Sequence, residues 1–219
     1  MSKKIAVYCD DGVRPGCFQQ VLTAFEGYPI EAVDRHFFLS KDWETKTSLV
    51  VFPGGRDLPY LQALQGEANG RIRSYVENGG RFLGLCAGGY YGCLRVNFRA
   101  THEEEVVGER ELAFFSGNAV GPAFYKDSFR YQSEEGARSV AVQWEKGISH
   151  VYFNGGCFFE RVEDDPTAEV LARYIDLPSR PAAIIYCRKG EGSAVLSGVH
   201  PEFAPKDPFW QYLINKILI

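Results

Sequence analysis

The sequence predicts an α/β protein with a parallel sheet flanked by helices and an additional antiparallel, β-rich region in the middle of the chain. Three observations lead there. Short apolar runs at 4–8, 30–34, 48–52 and 81–85 alternate with helical patterns through the N-terminal part. Pro53-Gly54-Gly55 and Asn78-Gly79-Gly80 punctuate that alternation. No linker, repeat or low-complexity segment divides the 219 residues, so 1–219 reads as a single domain.

The elements follow in order. Ile5-Ala6-Val7-Tyr8 reads as a buried first strand, and a Gly/Pro-marked loop covers 10–16. Residues 17–26 suit a helix, with Phe18, Val21, Leu22 and Phe25 on one face. Strands at 30–34 and 48–52 come next, the latter stopped by Pro53. A helix over 67–77 turns Ile72, Tyr75 and Val76 inward and closes at Asn78-Gly79-Gly80. Strand 81–85 runs into a sharp turn at Cys86, and a helix starts at about Gly88. Between 96 and 160, β-rich pieces at 106–107, 139–144 and 149–153 are broken by Gly, Pro and polar turns. A helix at about 166–175, strands at 183–188 and 193–199, and an aromatic-apolar helix at about 207–218 complete the chain. Right-handed crossovers would put the loops after the parallel strands along one edge, where such sheets build their sites.

Composition narrows the function classes. With 45% hydrophobic and 24% charged residues, the chain is an ordinary globular one. A net charge of −4 leaves no footprint for nucleic acid or an anionic membrane. Arg71-Ile72-Arg73 reads as part of a solvated helix face. Glu103-Glu104-Glu105, beside His102, reads as solvated surface and not as a metal site. Met1-Ser2-Lys3-Lys4 runs directly into a strand and lacks the form of a signal peptide, and no apolar run spans a bilayer. The six cysteines include no Cys-x-x-Cys pair. The expectation is a cytoplasmic protein with free thiols and neither metal nor cofactor. Cys9, Cys17, Cys93, Cys157 and Cys187 read as small apolar side chains, although Cys9 and Cys17 flank a loop on the functional edge.

Arg81-Phe82-Leu83-Gly84-Leu85-Cys86-Ala87-Gly88-Gly89-Tyr90 carries the chemistry. A cysteine with glycine two places before and after it has the form of a nucleophile elbow. The strained turn leaves no room for side chains at those glycines. A helix starting after Cys86 would direct its positive end at the sulfur and favour the thiolate. A buried cysteine beside glycine-mediated packing also fits these residues. His200-Pro201-Glu202 supplies a base and a carboxylate to orient it, from one segment stiffened by Pro201. The Pro53-Gly54-Gly55 turn, with the Ala87 N–H, could form an oxyanion hole. It equally suits a plain turn ending a strand. Asn154, in a Phe-Asn-Gly-Gly turn, could reach a substrate or bond its own backbone. Tyr125 and Tyr131 read as packing residues.

Together these motifs resemble the class I glutamine amidotransferase-like superfamily. More narrowly, segments 51–60, 84–92, 152–156, 181–183 and 200–203 resemble the N-terminal domain of biotin–protein ligases. The resemblance implies a flavodoxin-like fold, with Cys86, His200 and Glu202 as a triad and Gly55 and Ala87 as oxyanion donors. The Gly-Arg-Gly-Arg-type loop and Lys-Trp-Pro-Asn segment that mark the biotin-ligating domain do not occur, so no biotin ligation is expected of the chain by itself. Arg188-Lys189-Gly190-Glu191-Gly192-Ser193 is only a hairpin-like turn. Working glutaminases carry glutamine four residues after the nucleophile, where this chain has Tyr90. The run after Gly55 differs from theirs too. Gly54, Arg56, Tyr90 and Asn154 therefore stand as candidate substrate-binding residues.

The leading expectation is an enzyme attacking an amide or related acyl bond of a small molecule or peptide. The alternative is a non-catalytic binding or regulatory module for a biotin-related ligand or for a separate biotin ligase chain. A third reading is a glutaminase subunit feeding ammonia to a partner.

Overall fold

The computed structural model describes residues 3–99, 105–124, 129–131 and 133–218. The chain runs β1 (Lys4–Tyr8), α1 (Pro15–Ala24), β2 (Ile30–Val33), α2 (Trp43–Lys46), β3 (Thr47–Phe52), α3 (Asp57–Leu64), α4 (Glu67–Glu77), β4 (Arg81–Leu85) and α5 (Ala87–Tyr91). It continues with β5 (Cys93–Arg99), β6 (Glu105–Glu109), β7 (Phe115–Gly121), β8 (Arg138–Trp144), β9 (Gly147–Phe153) and β10 (Phe158–Phe159). Last come β11 (Ala168–Tyr174), β12 (Ala182–Lys189), β13 (Gly192–Ser197) and α6 (Pro208–Leu218).

The strands β2-β1-β3-β4-β13 lie side by side and all pair in parallel. Period-two alternation sorts their side chains onto two faces. Ala6, Tyr8, Val50, Phe52 and Phe82 face Tyr60, Leu64, Ile72 and Val76 of α3 and α4. Ile5, Val7, Leu49, Val51, Leu83 and Leu85 face Val21 of α1, Phe25, and Trp210 and Leu213 of α6. Phe52 is the hub of the first face, stacked on Tyr8 at 4.7 Å and packed against Phe82 and Tyr91 at 5.4 Å.

Beyond β13 the sheet turns antiparallel through β12, joined to β13 by the short Gly190-Glu191 turn. The mid-chain strands then extend it in two strips. One runs β10-β7-β5-β6, and the other adds β11, β8 and β9. Pairing in both is antiparallel except for β5 with β7, which is parallel.

One expectation needs correction. The segment at 166–175 is strand β11, not a helix. It pairs with β12 and β8, and register shifts at Val170/Ala172 and Ala172/Arg173 bury Leu171 and Ala172 consecutively. Those bulges break the alternation that marks a strand and mimic helical spacing. The helix expected after Cys86 is present as α5, starting at Ala87 and kept short by β5 at Cys93. Tyr125, His102, Glu103 and Glu104 lie outside the described residues. Glu105 sits in β6 and pairs with Arg99 at 2.8 Å.

Candidate active site

Three neighbouring parallel strands deliver the site. Pro53-Gly54-Gly55 follows β3, Cys86 follows β4 and His200 follows β13. Cys86 adopts φ 51° and ψ −100°, a conformation costing about 1–3 kcal/mol for a residue with a Cβ. Its N–H donates to the Ser197 carbonyl at 2.8 Å, and its carbonyl accepts from the Tyr90 N–H at 3.0 Å. The flanking glycines hold this turn closed. A Cβ on Gly84 would fall on the Gly88 carbonyl, and one on Gly88 on the Phe52 carbonyl. The elbow is thus locked to two neighbouring strands through backbone contacts.

The His200 N–H donates to the Tyr152 carbonyl at 2.9 Å, anchoring the residue to β9. Its ring packs edge-on against Tyr152 and Phe203, which stack on each other at 4.5 Å. A short 3-10 turn at Pro201–Phe203 folds Glu202 back, so that Oε1 lies 2.7 Å from His200 Nδ1. Glu202 is fully buried, and Cys86 and His200 face the same cavity, with the sulfur a close electrostatic neighbour of the ring. With Nδ1 on the carboxylate, Nε2 is the nitrogen left for the sulfur. Burial works against a charged imidazole. The negative charges of Glu202 and Cys86 outweigh it and raise the His200 pKa well above the ordinary histidine value. The Cys86 sulfur also lies 3.7 Å from the Asn154 carbonyl oxygen, which can accept from the neutral thiol.

Gly54 makes room for this row: a Cβ there would sit 2.5 Å from His200 Cε1 and 2.9 Å from Cys17 Sγ. Gly55 pairs with Val13 in an isolated antiparallel bridge, using the Gly54 carbonyl and the Arg56 N–H. The Gly55 N–H is outside that pairing. Ala87 opens α5, so its N–H is one of the first-turn donors that the helix leaves without an internal acceptor.

In front of Cys86 and His200 opens a cavity of about 450 Å³, whose walls include Arg14, Cys17, Arg56, Tyr131, Tyr152 and Asn154. Asn154 Nδ2 donates to the Ser133 carbonyl at 2.9 Å. Arg14 pairs with Glu134, which also accepts from the Tyr152 hydroxyl at 2.6 Å. These partners hold the Glu134 carboxyl below its usual range. Arg56 lies over the Tyr131 ring at 4.5 Å. Tyr90 is buried, and its hydroxyl donates to the Gly155 carbonyl at 3.0 Å. It therefore lines a smaller recess beside Cys86 with its ring while its polar end is already bonded. Burial pushes the Cys17 thiol up to about 11.

Arg14 and Tyr152 are not among the candidates read from the sequence, whereas Cys17 is placed there beside a loop on the functional edge. Tyr152 was within reach, because it stands two residues before Asn154, at the end of β9. Arg14 follows β1 on the functional edge, but its partner Glu134 is remote in sequence. Among the described residues, no group of three or more His, Cys, Asp or Glu side chains could hold a metal ion, and no helix is long and apolar enough to cross a membrane.

The family model for the biotin–protein ligase N-terminal domain matches residues 3–212. The chain belongs to that family. A biotin–protein ligase of Schizosaccharomyces pombe is 40% identical over 212 residues, covering 91% of this chain and 33% of the ligase. An uncharacterised protein of Chlamydia muridarum is also 40% identical, covering 93% of this chain and 82% of the other. This biotin–protein ligase N-terminal-like domain therefore spans about a third of the S. pombe ligase. Its fold is shared with solved structures at low sequence identity. A chain of the Thermotoga maritima PurLQS structure matches with a TM-score of 0.67 at 16% identity, covering 99% of both chains. A β-galactosidase from Rahnella sp. R3 matches with a TM-score of 0.61 at 16% identity, over 98% of this chain and 31% of that one.

Proposed function

We propose that this domain is a cysteine-dependent hydrolase or amidotransferase acting on an amide or related acyl bond. The observation that carries this reading is the continuous row from Cys86 to His200 to Glu202, with the cysteine on a strained elbow. The Cys86 thiolate attacks the acyl carbon, and the carbonyl oxygen becomes an oxyanion facing the Gly55 and Ala87 N–H groups. His200 gives its proton to the departing amine as the C–N bond breaks, leaving a thioester. His200 then takes a proton from water or an acceptor amine as that nucleophile attacks. Collapse releases the acid or the new amide and restores the thiolate. Glu202 keeps the imidazole oriented and balances its charge.

Tyr90 argues against free glutamine as the substrate, because its ring and its Gly155 bond occupy the recess beside the nucleophile. The test is a screen of amides and acyl compounds for turnover, with Cys86→Ala beside the native protein. Turnover that survives the substitution removes the mechanism.

A second reading is favoured by the ligase relative, of which this domain matches one third. The domain would then bind a biotin-related ligand or a separate ligase chain through the same cavity. Unreactive Cys86 together with saturable ligase binding would favour it.

A further inference from the structure

We propose that Arg56 receives a carboxylate on the substrate, so that the acyl compound handled at Cys86 is an anion without a free amine. This rests on the reading of Cys86 as a nucleophile.

The cavity wall carries three arginines, Arg14, Arg56 and Arg130, and no aspartate or glutamate among its described residues. Arg14 is neutralised by Glu134 from outside the wall. Arg130 donates to the Phe129 carbonyl at 2.7 Å and has contacts of its own. Arg56 differs from both. It is exposed, its guanidinium lies over Tyr131, and among the described residues no carboxylate pairs with it.

A guanidinium stacked on a ring keeps its in-plane N–H fork available, the geometry that takes a carboxylate through two parallel bonds. Arg56 lines both the main cavity and the recess that also contains Cys86 and Asn154. It directly follows Gly55, so the anion site and the candidate oxyanion donor belong to one short segment. One guanidinium without a carboxylate partner among the described wall residues matches a monoanion better than a phosphate dianion. The main cavity wall offers no carboxylate among its described residues, and Asp57 in the recess is already paired with Arg110, which disfavours a zwitterionic amino acid. A substrate with a carboxylate and no free amine fits the charges present.

The experiment compares alkylation of Cys86 by N-iodoacetyl-β-alanine and by its uncharged amide, read by peptide mass mapping. In the native protein the carboxylate reagent should react at least about tenfold faster than the amide, the scale of a charge-assisted bond. Arg56→Gln should abolish that preference, and Arg56→Lys should retain part of it. Because the readout is a ratio, a general change in thiol reactivity cancels. N-acetyl-β-alanine should also protect Cys86 from iodoacetamide in the native protein, which needs no variant. An unchanged ratio in Arg56→Gln overturns the anion site and leaves the nucleophile standing. A phosphonate analogue reacting more than tenfold faster than the carboxylate overturns the carboxylate assignment. Failure of every reagent at Cys86, with exposed Cys9 labelled normally, overturns the nucleophile reading and this inference with it.

Discussion

The Glu202 carboxylate meets His200 Nδ1 at 2.7 Å through Oε1, while its Oε2 is buried with no hydrogen-bond partner among the described residues. Its charge is therefore directed at the imidazole. A charge-assisted bond in such a desolvated setting is stronger than the same bond at a surface, and it holds the ring protonated.

The first prediction concerns that pair. In ¹⁵N-histidine NMR, His200 should titrate well above the ordinary value of 6.5, and Glu202→Gln should lower it. Its folded pKa is raised, so the stability it contributes is fully present below pH 6.5 and lost as pH rises through the folded pKa. Urea denaturation across that range should show the loss in the native protein and a flatter profile in Glu202→Gln. A His200 titration unmoved by the substitution would mean that the carboxylate does not set its charge.

Cys86 should be the thiol that depends on His200. His200→Ala should slow its alkylation at neutral pH by about tenfold or more, because the imidazolium that favours the thiolate is lost. Cys17, held up at about 11 by burial, should stay unmodified at neutral pH in both proteins. Equal labelling of Cys86 with and without His200 would break the row.

Gly54→Ala should damage the site from beneath. The new methyl would meet His200 Cε1 at 2.5 Å and Cys17 Sγ at 2.9 Å. Overpacking of this kind costs about 1–3 kcal/mol, and the ring must move off the sulfur. Expected outcomes are a lower urea midpoint and slower Cys86 alkylation. A change in stability without any change in alkylation would show that His200 had kept its place.

Arg110 and Asp57 form a buried pair at 2.7 Å at the start of α3, next to Arg56. Burial raises the Asp57 pKa although Arg110 opposes the shift. Arg110→Met should cost about 3–5 kcal/mol by leaving that carboxyl uncompensated. The loss should be greater at pH 8 than at pH 5, because ionised Asp57 carries the penalty and the protonated form escapes it. Adding Asp57→Leu should recover much of the stability in urea titrations. A loss independent of pH would point to packing instead.

Local geometry was the legible part of this sequence. Gly84, Cys86 and Gly88 lie within one turn, and His200 and Glu202 are two residues apart, so their spacing alone encodes the approach. The alternating faces of Val50/Phe52 and Leu49/Val51 follow from strand period. The contacts that were not legible join distant segments. Arg14, Glu134 and Tyr152 meet only because the mid-chain strip folds back over the first loop. α3 went unread because Pro59 breaks the pattern of 56–60, although a proline is well tolerated in a first helical turn. β11 was misread because its bulges imitate helical spacing.

The reacting row and the wall facing it share a support. Cys86 and the Gly54 turn are fixed by backbone packing among β3, β4 and β13, whereas His200 also hangs from the Tyr152 carbonyl of β9, and the Cys86 sulfur faces the Asn154 carbonyl that follows that strand. A change on β9 therefore reaches the imidazole as well as the substrate, so new acyl selectivity is better grafted through Arg56 and Tyr131, elsewhere on the cavity wall, than through the strand that carries the base.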